Sequence, residues 1–131
     1  MASTSRTLGI LVTHGSLGEE LRRTAEAILG PQEQLEVISN FGASLDGIVD
    51  RVREILKGRA ASAVFLFVDL LGGSCGHACR EILRAHDDTT ILSGINLPML
   101  LDFLHNRDRY PMAELRERLV QKGRDGIQCI G

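Results

Sequence analysis

Six consecutive apolar residues, Ala63-Val64-Phe65-Leu66-Phe67-Val68, constrain this chain more than any other feature. A strand with one wet face alternates apolar and polar side chains, and this one does not. The segment therefore predicts a strand covered on both sides, the arrangement found in parallel sheets flanked by helices. Leu8-Gly9-Ile10-Leu11-Val12 reads the same way. Both runs are far shorter than the roughly 20 residues a membrane-spanning helix needs.

Between and after these runs the pattern alternates with helices. His14-Gly15-Ser16 breaks the first strand, and Ser16 with Glu19 three residues on forms a capping-box signature for a helix ending at Gly30-Pro31. A second strand is predicted over Leu35 to Ile38. A second helix runs from Ser44 to Lys57-Gly58, with Ile48, Val49, Val52, Ile55 and Leu56 on its apolar face. After the Ala63–Val68 strand come a helix from about Ser74 to Arg84 and a short strand over Thr90 to Leu92. Two helices opened by Pro98 and Pro111 follow. The alternation of Ile127, Gln128 and Cys129 predicts a last strand over Gly126 to Ile130.

This order describes an α/β fold: an open, doubly wound, mostly parallel sheet with helices on both faces. The last strand is expected to be an antiparallel edge strand, exchanged with a second copy in a homodimer. At 131 residues the chain is expected to form a single domain over 1–131, with its core over about 7–130.

Composition narrows the function classes. Fifteen Lys and Arg against 17 Asp and Glu give a net charge of −2, and aromatic residues make up 4%. That balance offers no concentrated positive field or stacking platform for nucleic acid. Three cysteines, Cys75, Cys79 and Cys129, suggest no disulfide framework and fit reduced thiols in the cytoplasm. Cys-x-His-x-Cys over Cys75, His77 and Cys79 does not converge on a metal without help from His14 or His86, so no metal is expected. Cys79 reads as a small buried hydrophobe. The helix start at Cys75 is expected to lower that thiol's pKa.

Ligands of open α/β sheets bind beyond the carboxyl ends of the strands, where strand order reverses. His14, Asp69 and Asn96 all follow strands directly. A carboxylate accepting one ring N–H fixes the imidazole tautomer and leaves the other nitrogen free as a nucleophile. Asp69 is the candidate for that role towards His14. Gly15 and Ser16 at one helix start, and Gly72, Gly73 and Ser74 at another, could supply N–H and hydroxyl donors to phosphoryl oxygens. The plainer readings stay open at this point: His14 as a turn residue bonded to a carbonyl, and Asp69 and Ser74 as helix caps. No Gly-x-x-x-x-Gly-Lys-Ser/Thr loop, dinucleotide fingerprint or serine-hydrolase elbow is present. The residues thus suit acceptance of an already activated phosphoryl group. Asn96, Leu97 and Pro98 could instead form a docking rim or an ordinary helix start.

Three blocks together resemble the mannose-type IIA component of the bacterial phosphotransferase system. They are Leu8 to Gly15, Phe67-Val68-Asp69-Leu70-Leu71-Gly72-Gly73-Ser74, and Ser93-Gly94-Ile95-Asn96-Leu97-Pro98-Met99-Leu100. The resemblance implies phosphorylation of His14, support of its ring by Asp69, and a hydroxyl from Ser74 beside the phosphate. It implies a phosphotransferase working through phosphohistidine without a cofactor. Phospho-HPr would be the donor and a IIB histidine the acceptor, with membrane subunits reached only indirectly and a homodimer as the assembly. Cys75 and His77 stand where Pro and Asn are more typical, which assigns them to partner docking rather than to the chemistry. A regulatory domain without sugar transport, or a unit feeding dihydroxyacetone kinase, are the alternative roles on this fold.

Overall fold

The computed structural model describes residues 5–131. Its elements are β1 (Thr7–Thr13), α1 (Leu17–Leu29), β2 (Leu35–Ser39), α2 (Leu45–Lys57), β3 (Ala63–Val68), α3 (Gly73–Ala85), β4 (Thr89–Ser93), α4 (Leu97–Asn106) and α5 (Met112–Asp125). The four strands pair in the order β2-β1-β3-β4, all parallel. The chain steps outward from β1 to β2, then returns across β1 to lay down β3 and β4. Strand order therefore reverses between β1 and β3, and the crevice at their carboxyl ends is the ligand position of this architecture.

The unbroken apolar runs are explained by two cores. Leu8, Ile10 and Val12 of β1 and Val64, Leu66 and Val68 of β3 pack with Ile48, Val49 and Val52 of α2 and with Cys75, Ala78, Cys79 and Ile82 of α3. The intervening positions, Leu11, Phe65 and Phe67, face Ala25 of α1, Met99, Leu100 and Phe103 of α4, and Leu115 and Leu119 of α5. Phe103 sits edge-on to Phe67, with ring centroids 4.9 Å apart. The helices thus divide two and three between the faces, as a doubly wound sheet requires.

One local expectation needs correcting. Ser16 makes no side-chain cap; instead Thr13 Oγ1, buried at the end of β1, accepts the Gly18 N–H at 2.8 Å. The strand's own last residue thus caps the helix that follows, so the turn through His14 is tied at both ends. Residues 126–131 pair with no strand of the same chain among the described residues, and Ile127 and Ile130 are 78% and 91% exposed. Asn96 caps α4 by accepting the Met99 N–H, and Pro98 lies in its first turn.

A second tether lies at the amino ends of the strands. Arg107 is buried, and its guanidinium donates to the carbonyls of Thr7, Glu33 and Gln34 at 3.2, 2.6 and 2.9 Å. It joins the end of α4 to the starts of β1 and β2.

Candidate functional site

β1 and β3 end in register, Val12 beside Val68, so the next residues but one and next, His14 and Asp69, meet across the crevice. Asp69 Oδ2 accepts the backbone N–H of His14 at 3.0 Å. His14 Nδ1 lies 3.0 Å from Oδ2 and 3.1 Å from Oδ1 of the same carboxylate. Leu70 N–H donates to Oδ1 at 3.0 Å. Burial pushes the Asp69 pKa up, but the His14 backbone N–H, the His14 ring and the Leu70 N–H together outweigh it. The net value lies below the ordinary 3.8, so the group is an anion at neutral pH.

An ionised carboxylate only accepts, so Nδ1 of His14 carries the proton facing it. In the neutral ring Nε2 then holds a free lone pair. The His14 side chain is 37% exposed while that of Asp69 is 13% exposed: the carboxylate is shielded and the imidazole is not.

Nε2 faces the start of α3. A Cβ placed on Gly73 would sit 3.5 Å from it, and Gly73 adopts φ +83°, where a side chain is strained. Glycine therefore both allows the turn from Asp69 into α3 and keeps the approach to Nε2 clear. No side chain caps α3, whose N-cap is Gly72, and its first N–H groups have no intrahelical partner. They offer donors and a positive helix end beside Nε2.

The structure brings together His14, Asp69 and Gly73, and it puts Ser74, half-buried, in the first turn of α3. Ser16 is exposed at the start of α1. Gly15 is corrected as a free phosphate donor: its N–H donates to Asn40 Oδ1 at 2.9 Å, while its carbonyl accepts from Ser39 Oγ at 2.8 Å. Both partners follow from β2 and were missed, because nothing local to Gly15 announces them.

The docking residues also change. Cys75 is fully buried and cannot touch a partner, whereas His77 is exposed. Asn96 is occupied internally, since its amide also donates to the Gly123 carbonyl at 2.9 Å; Leu97 is half-buried and Pro98 exposed. The apolar surface beside His14 comes from elsewhere. Leu17, Phe41, Leu70 and Leu71 are 43%, 70%, 62% and 42% exposed. Phe41 reaches within 3.7 Å of where a Gly15 Cβ would stand.

The Cys75 expectation reverses as well. Burial raises its thiol pKa, and the Asp69 carboxylate raises it further, against a smaller lowering by Ser74. Cys79 is pushed up to about 12, by burial first and Cys75 second. The sulfur of Cys75 nevertheless belongs to the site. Its Sγ, a His14 ring nitrogen and an Asp69 oxygen all lie within 4.8 Å of one another.

A half-exposed histidine held by a carboxylate at the switch point of a doubly wound sheet defines the class: an α/β domain with a carboxylate-bound imidazole at its ligand position. The chain belongs to the EIIA-man family, described as the PTS system fructose IIA component, whose model matches residues 9–120. It is 31% identical over 128 residues to the PTS system mannose-specific EIIAB component of Escherichia coli (strain K12), covering 95% of this chain and 40% of that protein. It is 24% identical over 121 residues to the PTS system fructose-specific EIIA component of Bacillus subtilis (strain 168), covering 91% and 83%. The chain thus spans about 40% of the mannose-specific relative. Among solved structures, the phosphotransferase system component EIIA from Streptococcus agalactiae superposes with a TM-score of 0.87 at 23% identity, covering 94% of this chain and 96% of that one. The mannose/sorbose specific IIA subunit from Enterococcus faecalis gives 0.81 at 21% identity, covering 96% of each. Among the described residues, no helix is long and apolar enough to cross a membrane.

Proposed function

We propose that His14 is the phosphoryl acceptor of a sugar phosphotransferase relay, taking the group from phospho-HPr and passing it to a histidine of a IIB protein. The observation that carries this is the Asp69 carboxylate 3.0 Å from Nδ1, which in the neutral ring directs the Nε2 lone pair to the uncapped start of α3. In the first transfer, the Nε2 lone pair attacks phosphorus in line as the bond from phosphorus to the donor histidine nitrogen breaks. The donor nitrogen keeps that electron pair. Nδ1–H stays on Asp69, whose negative charge stabilises the imidazolium that develops. Transfer to IIB is the same step with His14 as the leaving group.

In this reading Gly72, Gly73 and Ser74 supply donors to the phosphoryl oxygens, from α3 N–H groups and the Ser74 hydroxyl. Ser16 faces the same anion from α1. The exposed Leu17, Phe41, Leu70 and Leu71 form the rim against which protein partners exclude water from the transfer. Partner choice resides in that rim, because sugar need never touch this domain.

The same reading includes a homodimer. β4 is a sheet edge, and beside it runs a cavity of about 580 Å³ lined in part by Leu83, Thr90, Ile91, Leu92 and Val120. Thr90 Oγ1 is buried there without a hydrogen-bond partner among the described residues. The exposed Ile127 and Ile130 of a second copy would fill that groove as an added strand.

Incubation with phosphoenolpyruvate, enzyme I and HPr tests the relay. The wild-type chain should take one acid-labile, base-stable phosphoryl group, and His14→Ala should take none while keeping its fold by circular dichroism. Full labelling of His14→Ala would place the acceptor elsewhere.

A further inference from the structure

We propose that His14, Asp69 and Cys75 form a binding site for Zn2+ that overlaps the nucleophilic imidazole and blocks it when filled. The three donors come from three places in the fold: the turn after β1, the end of β3 and the first turn of α3. Their ligand atoms already lie within 4.8 Å of one another. Tetrahedral zinc, with bonds of about 2.0–2.3 Å, separates its ligands by about 3.3–3.8 Å, so closure needs shifts on the order of 1 Å. With Nδ1 as the ring ligand, the carboxylate and ring are already at 3.0 Å, leaving chiefly the sulfur to move.

The donor set selects the ion. One imidazole, one carboxylate and one thiol suit a borderline-soft ion such as Zn2+, not Mg2+ or Ca2+, which take mostly oxygen. Three protein ligands leave a fourth position for water, on the side where the 37% exposed His14 meets solvent. Cys75 itself is fully buried, so the ion enters past His14. On binding, the Cys75 S–H loses its proton to solvent and the S–Zn bond forms; no oxidation occurs.

Blocking follows whichever ring nitrogen is used. If Zn2+ takes Nε2, the attacking lone pair is gone. If it takes Nδ1, that nitrogen releases its proton to solvent as the metal bond forms, and Nε2 takes up a proton from solvent, so the ring stays neutral with its one N–H on Nε2. Both arrangements silence the nucleophile. The metal site stands independently of the phosphoryl reading, while the block of transfer rests on it.

The test uses the full chain with Cys129→Ser, which removes the exposed thiol. Titration with Co2+ should give one equivalent per chain, with a near-ultraviolet thiolate-to-cobalt charge-transfer band that Zn2+ displaces. Adding Cys75→Ser should abolish the band, and Cys75→Ser or His14→Asn should weaken Zn2+ binding about 100-fold in chelator competition. Absence of the band before Cys75 is changed, or its survival in Cys75→Ser, overturns the site. Purified phospho-HPr then provides the second arm. One equivalent of Zn2+ should cut wild-type labelling about tenfold or more, with chelator restoring it, and the ratio with and without zinc should approach one in Cys75→Ser. Equal labelling with and without zinc, in protein that shows the cobalt band, overturns the block. A wild-type chain unlabelled without metal refutes the relay reading instead, and the cobalt spectrum still decides the site.

Discussion

Removing the charge of Asp69 in two ways separates its electrostatic role from its control of the tautomer. The carboxylate accepts from the His14 backbone N–H, the His14 ring and the Leu70 N–H, and its side chain is 13% exposed. Hydrogen bonds to a charged group contribute about 1.5–3 kcal/mol each, and three sharing one partner are not additive. Asp69→Ala should therefore destabilise the fold by about 2–3 kcal/mol, because water replaces part of what is lost. The developing imidazolium loses one charge-assisted bond, so transfer to His14 should slow by about 10–100-fold. Asp69→Asn keeps the shape and should cost less stability. Its amide can turn an N–H towards Nδ1, which favours the tautomer with the proton on Nε2, and a wrong-tautomer lock of this kind costs up to about 10⁴-fold. The asparagine variant should thus be the more stable and the slower of the two. Chemical denaturation and rapid-quench transfer from phospho-HPr measure both orders. Equal rates in wild type and both variants, or a faster asparagine variant than alanine variant, would refute the reasoning.

Acid titration of stability reads the same group. The folded pKa of Asp69 is depressed, so its ionisation favours the fold. That contribution is complete above the ordinary 3.8 and is lost as pH falls through the lower folded value. Wild type should therefore lose its advantage over Asp69→Asn in that acid window and keep it at neutral pH, by urea denaturation at each pH. Thr13→Val removes the acceptor of the Gly18 N–H and should cost about 1–2 kcal/mol, seen as a lower urea midpoint; no change would deny Thr13 its capping role. Arg107→Met leaves three carbonyls without their donor and should cost about 2–4 kcal/mol by the same measurement, with transfer by the folded fraction unaffected. Phe41→Ser with Leu70→Ser should raise the KM for phospho-HPr about tenfold or more at nearly constant kcat, whereas an unchanged KM would move the docking rim elsewhere.

The features legible in the sequence were those set by local pattern. The unbroken Ala63–Val68 and Leu8–Val12 runs announced strands covered on both faces, and the residues just beyond them, His14 and Asp69, do meet at the switch point. The illegible features depended on contacts distant in sequence. Ser16 looked like a cap because its spacing to Glu19 is right, yet Thr13 already held the Gly18 N–H from the end of the strand. Asn40 claims Gly15 from 25 residues away. Cys75 sits at a helix start, where a lowered pKa is the usual consequence, but burial and the nearby Asp69 charge dominate. The Ile127–Cys129 alternation is that of a strand, but a strand needs a neighbour, and within the described residues this segment has none.

For the proposed relay, the nitrogen that takes the phosphoryl group is the most direct test, because the Asp69 contact with Nδ1 points to Nε2. Phosphorus and nitrogen NMR of the phosphorylated, nitrogen-15-labelled chain should show phosphorus bonded to Nε2 of His14, with Nδ1 still protonated. Phosphorus on Nδ1, or on any residue other than His14, would contradict the account.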